Sequence, residues 1–134
     1  MLQAHNTVRA GVGAPPLTWS AEVAQTARAW AGQLGANGCG PPLQHNPDRP
    51  YGENIYWSSG SSSPQMAVQM WVDEAEHYDA ETHTCAEGQQ CGHYTQVVWA
   101  NSRKLGCGVA TCGSQRVWVC NYDPPGNWTD QQPF

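Results

Sequence analysis

Positive charge is scarce in this chain. Six Lys and Arg among 134 residues leave a net charge of −5. That excludes a nucleic-acid binder, which needs a basic stripe, and a polybasic membrane-surface patch. Charge of either sign is sparse, at 13% of residues, whereas Gly (14), Pro (10) and Trp (7) are plentiful. Turns, aromatic packing and cross-links must therefore hold the fold more than salt bridges do. No apolar run approaches the roughly 20 residues of a membrane span. Neither a Gly-x-Ser-x-Gly elbow nor a His-Glu-x-x-His helix is present, which removes two hydrolase frameworks. No internal repeat or second domain appears, so residues 1–134 read as one domain with a C-terminal tail, 124–134. No signal peptide precedes the first helix. A trimmed mature chain with an added start methionine is expected.

Cysteine is not scarce. Six residues, at 39, 85, 91, 107, 112 and 120, include no C-x-x-C pair, which argues against a zinc ribbon. An even count in a small chain predicts a disulfide framework and an oxidising compartment. Spacing alone leaves every pairing open.

Along the chain, Leu2, His5, Asn6 and Arg9 recur at helical spacing and predict a helix over 2–11. A second helix is predicted over 20–34. Ser20 is its N-cap, Glu22 suits its first turn, Gly35 stands at C′, and Val23, Ala27, Trp30 and Leu34 form its core stripe. Residues 35–52 are turn-rich, cross-linked by Cys39, and carry His45. An extended segment runs from Tyr51 to Trp57. Ser63 and Pro64 open a third helix with Ala67, Met70, Trp71, Ala75 and Tyr78 on its inner face. Glu74 falls among those apolar residues. A buried carboxylate needs a partner, and His93 or a bound cation are the candidates. Residues 79–90 read as a polar loop. Cys91–Trp99 alternates large side chains on two faces and predicts a central strand, with His93 at its rim. Leu105–Thr111 and Arg116–Tyr122 predict an antiparallel pair turning at Cys112–Ser114, followed by a tail pinned by Trp128 and Cys120.

Four motifs then stand in order along nearly the whole chain. They are His5-Asn6-x-x-Arg9, Gly52-Glu53-Asn54-Ile55, Cys91-Gly92-His93-Tyr94 with its following Val-Val-Trp, and Cys120-Asn121-Tyr122 running to Trp128. Together they resemble the CAP superfamily of cysteine-rich secretory, antigen 5 and pathogenesis-related 1 proteins, with single-domain pathogenesis-related 1-like members the nearest in pattern. The resemblance implies an α+β fold, a three-layer α-β-α sandwich with a small, mainly antiparallel central sheet. It implies the pairs Cys39–Cys112, Cys85–Cys91 and Cys107–Cys120, and a structural role for the His5 motif. It also implies a secreted, monomeric protein of defence or extracellular signalling. His45, Glu53, Glu74 and His93 are expected to share one cleft. Two imidazoles and two carboxylates suit zinc or another divalent cation, bound above magnesium in preference. A lipid or sterol between helices is a further expected partner. Sterol binding should be weak, because the 79–90 loop has no aromatic residue after Tyr78. Three alternatives stay open: a metal-dependent hydrolase using Glu53 and Glu74, a purely structural hydrogen-bond network, and a precursor cut between Asp123 and Pro124 to release residues 124–134.

Overall fold

The computed structural model describes residues 1–134. Helix α1 spans Leu2–Gly11, strand β1 Thr18–Trp19, α2 Ala21–Ala36, β2 Gly52–Ser58 and α3 Pro64–Val72. A 3-10 turn, Asp73–His77, follows. Then come β3 (Tyr78–Asp79), β4 (Thr84–Cys85), α4 (Gly92–Val97), β5 (Lys104–Cys112) and β6 (Gln115–Asp123). The main sheet has the order β1-β5-β6-β2; β1 is parallel to β5 and the other pairings are antiparallel. The β5–β6 hairpin turns on Gly113-Ser114, where Gly113 supplies the positive φ its first position requires. Disulfides join Cys39 to Cys112, Cys85 to Cys91 and Cys107 to Cys120.

One face of the sheet carries α2 alone. Ser20 caps this helix by accepting the Val23 N–H. Its buried stripe is made mostly of small residues, Ala24, Ala27 and Ala31, of which Ala27 and Ala31 pack with Leu34 toward Ile55, Val117 and Val119. The sheet is equally bare beneath it. A Cβ at Gly106 would overlap the Val23–Ala24 backbone, and one at Gly108 that of Arg28. The helix therefore lies directly on β5.

The other face carries α1, α3 and α4. Val68, Trp71, Tyr94, Val97 and Val98 pack with Leu105, Trp118 and Tyr122. This makes the three-layer α-β-α sandwich. Two buried polar residues seat α1 in it. Arg9 is fully buried and donates to the carbonyls of Pro15, Val97, Trp99 and Ser102, at 2.7–3.0 Å. His5 Nδ1 lies 3.0 Å from the Met1 carbonyl, which only accepts, so Nδ1 bears the proton. His5 Nε2 then accepts from the Tyr122 hydroxyl at 2.8 Å. Burial pulls the His5 imidazole down to about 4 and pushes the Tyr122 phenol up.

Several expectations need correction. Cys91–Trp99 is not a central strand; its core is the six-residue helix α4. Tyr94, Val97 and Val98 are buried at helical spacing too, and a short apolar run fits either period. Helix α2 runs through Gly35 and is capped at Asn37, with Trp30 only half-buried and its indole bonded to the Gln44 carbonyl. The third helix tightens to 3-10 from Asp73, and the first part of the 79–90 loop is folded into the small β3–β4 ladder. Trp128 does not pin the tail, being 56% exposed. Gly126, Asn127 and Pro133 do so by hydrogen bonds to Gln96, to Gly92 and Thr95, and to Ala100.

Two outcomes follow from this packing. Gly106→Ala should destabilise the protein by roughly 1–3 kcal/mol through overpacking, whereas Gly11→Ala, with open space around it, should be neutral or mildly stabilising. Denaturant titration of both variants checks this, and equal effects would refute the close contact. For His5, the unfolded chain binds a proton below about 6.5 that the folded chain refuses down to about 4. Its contribution is therefore complete above pH 6.5 and lost as the pH falls through 4, about 3 kcal/mol in all. The stability gap between wild type and His5→Gln should shrink by about that amount from pH 7 to 4. A constant gap would show that His5 is not buried neutral.

Candidate functional site: a cleft at the sheet edge

Strand β2 is an edge of the sheet, and successive side chains on a strand point to opposite faces. Glu53 shares its side with Ile55, which packs in the α2 layer. Asn54 shares its side with Tyr56, which packs in the other layer. Two half-sites therefore come from opposite layers and meet past this edge.

The first half-site is built on Glu53. Its Oε1 accepts from His45 Nδ1 at 2.8 Å and from the Asn46 N–H at 3.0 Å. Its Oε2 accepts from Asn121 Nδ2 at 3.1 Å, and Asn121 is its direct partner across the β2–β6 ladder. The Glu53 side chain has no exposed surface, while that of His45 is 52% exposed.

The second half-site is built on Glu74, at the point where α3 gives way to the 3-10 turn. Its Oε1 accepts from His93 Nδ1 at 2.6 Å. Its Oε2 accepts the backbone N–H groups of His93 and Tyr94, at 2.9 and 3.0 Å. The carboxylate that looked anomalous on an apolar helix face thus caps the N-terminus of α4 and holds the ring that this helix carries. Anions are favoured at helix N-termini, which compensates its partial burial.

Both rings face a hollow of about 320 Å³. In each, the carboxylate takes Nδ1, so Nε2 is the nitrogen left without a protein partner. The four expected residues are thus brought together as two histidine–carboxylate pairs. They do not form a single cage, and no group of three or more His, Cys, Asp or Glu side chains converges on one ion-sized position.

The sequence reading missed the asparagines. Asn54 Nδ2 donates to the His93 carbonyl at 3.0 Å and to the Tyr122 hydroxyl at 3.2 Å, which links the cleft to buried His5. Asn121 holds the far oxygen of Glu53. Both stood inside quoted motifs, Gly-Glu-Asn and Cys-Asn-Tyr. Their hydrogen-bonding capacity beside an acid was the available signal.

Comparison with known proteins identifies the family and agrees with the fold. The family model described as the cysteine-rich secretory protein family matches residues 2–122. Pathogenesis-related protein 1A of Nicotiana tabacum is 49% identical over 135 residues, covering 99% of this chain and 78% of the relative. The solved structure of Schistosoma mansoni venom allergen-like protein 4 has a TM-score of 0.76 at 25% identity, covering 99% of this chain and 90% of that one. NaASP2, solved with Zn2+, has a TM-score of 0.72 at 28% identity, covering 95% and 78%.

The carboxylate cap is testable. Glu74→Ala should leave two amides unpaired and cost roughly 1–3 kcal/mol, with faster hydrogen exchange at His93 and Tyr94. Glu76→Ala, on a side chain 73% exposed, should change stability by less than about 0.5 kcal/mol. Indistinguishable variants would mean that α4 does not depend on Glu74.

Proposed function

The chain belongs to the cysteine-rich secretory protein family, and from that premise we propose that it is an extracellular, monomeric, defence-linked binding protein whose cleft takes a divalent cation. One observation carries the reading. His45 and His93 each give Nδ1 to a carboxylate and keep Nε2 free beside the same hollow. A histidine that ligates a metal typically donates its other ring nitrogen to a carboxylate, which fixes the tautomer and raises the basicity of the ligating nitrogen. The donor set therefore fits a cation held by two imidazole nitrogens, with Glu53 and Glu74 orienting the rings from behind. Nitrogen ligands favour zinc or cadmium over magnesium. That NaASP2 was solved with Zn2+ supports the cation reading. Three disulfides and the pathogenesis-related relatives support the extracellular, defence-linked setting.

A bound cation would supply Lewis acidity and acidify a bound water, and a neighbouring carboxylate could assist as a base. Both oxygens of each carboxylate are already engaged, and Glu53 has no exposed surface. These engagements favour binding over turnover. The lipid reading has a separate support, a groove of about 380 Å³ between α1 and α3 lined by Ala4, Val8, Val68 and Val72. Its walls carry no aromatic ring, which favours a flexible acyl chain over a sterol. For residues 124–134, the bonds from Gly126, Asn127 and Pro133 to the α4 region favour retention over release after Asp123.

At a hundredfold excess over its dissociation constant, a cation that binds only the folded state adds about 2.7 kcal/mol. Zinc should then raise the melting temperature by roughly 5–10 °C at pH 7.5. Protons compete for imidazole nitrogen, so the rise should vanish at pH 5. It should also vanish in a His45→Ala, His93→Ala double variant. An equal rise in wild type and double variant would rule the cleft out as the binding site.

A further inference from the structure

Beside the cation cleft lies a second hollow, of about 360 Å³, which shares Cys91, Gly92 and Asn127 with it. Asn127 forms the partition: its Nδ2 donates to the Gly92 carbonyl at 2.8 Å, and its Oδ1 accepts from the Thr95 hydroxyl at 2.7 Å. Tyr78, His83 and Gln89 line it together with Trp128 and Gln131 of the tail. None of the 12 residues lining this hollow is Asp, Glu, Lys or Arg.

Trp128 is the informative residue. The residue is 56% exposed, yet its indole is hydrogen-bonded. The indole N–H donates to the Pro125 carbonyl at 3.0 Å, and the Gln131 N–H donates to the Trp128 carbonyl at 3.1 Å. The lining is also braced by the Cys85–Cys91 disulfide and by the 3.1 Å hydrogen bond between the Tyr78 hydroxyl and His83 Nδ1. The molecule thus presents a fixed aromatic face to solvent inside a rim of amides.

That chemistry selects a ligand class. With no Lys or Arg in the lining, an anion finds no permanent charge partner, and with no carboxylate, a cation finds no anionic one. A lipid tail gains little from a rim of amides. A neutral pyranose ring matches both parts. Its C–H bonds carry a slight positive charge that suits the negative face of an indole. Its hydroxyls both donate and accept, as do the carboxamides of Gln89, Asn127 and Gln131. We propose that this hollow binds a neutral oligosaccharide, with one sugar ring stacked on Trp128 and its hydroxyls held by Gln89 and Gln131. The site needs no cation and does not rest on the cleft reading.

The test titrates the full chain, in EDTA, with laminarihexaose, cellohexaose and chitohexaose. Calorimetry gives the affinities and NMR maps the contacts. At least one sugar should bind saturably, with shifts centred on the Trp128 indole and the Gln89 and Gln131 side-chain amides. Trp128→Ala should weaken binding about tenfold or more at an unchanged melting temperature, with partial recovery in Trp128→Phe. A Gln89→Ala, Gln131→Ala double variant should weaken it as well. Four results would each overturn the proposal: no saturable binding of any of the three sugars at millimolar concentration, unchanged affinity in Trp128→Ala, equal binding of an oligogalacturonate, or binding that appears only when zinc replaces EDTA.

Discussion

A helix of six residues does not stand alone in water, because its few hydrogen bonds do not repay nucleation. Helix α4 exists because charged groups from elsewhere hold both of its ends. The Glu74 carboxylate accepts the N–H groups of His93 and Tyr94 at the start, and the Arg9 guanidinium donates to the carbonyls of Val97 and Trp99 at the finish. Anion at the N-terminus and cation at the C-terminus is the arrangement that the helix dipole favours. The two ions come from α1 and from the turn after α3, so one pair of contacts locks together the helices of an entire layer. His93 rides on this helix, and the position of its ring is a result of that clamp.

The same economy runs through the cleft. This chain has few charged groups, and Glu53, Glu74 and Arg9 are each held by several hydrogen bonds. Glu53 has three donors within hydrogen-bond distance, Glu74 has three and Arg9 has four acceptors. A carboxylate so surrounded is a fixture that orients its neighbour. The Nε2 atoms of both imidazoles carry no such bond.

Much of this was legible in the sequence, and the exceptions share a cause. The caps at Ser20 and Ser63, the β5–β6 hairpin and the helix at residues 2–11 rest on local rules, and they appear where those rules put them. Glu74 was legible as an anomaly, because an acid on an apolar stripe demands a partner. The misread stretch, 91–99, is settled by contacts far away in sequence. Its Val-Val-Trp ending suits a strand, and only the distant Glu74 and Arg9 make a helix cheaper. Likewise β1, two residues long, exists only through its pairing with β5. The grouping of the four cleft residues into two pairs depends on which nitrogen each carboxylate takes, and no sequence pattern encodes that.

The bonds that seat α1 also constrain the order in which the chain is completed. His5 meets Tyr122 across 117 residues, and Arg9 meets Ser102 across 93. A chain made from its N-terminus displays α1 long before either partner has been synthesised. Until then His5 and Arg9 have only local partners and no layer to enter. Contacts of such long range are slow to form, because loop closure costs entropy before any contact repays it. The helix at residues 2–11 is therefore among the last elements of this fold to be seated.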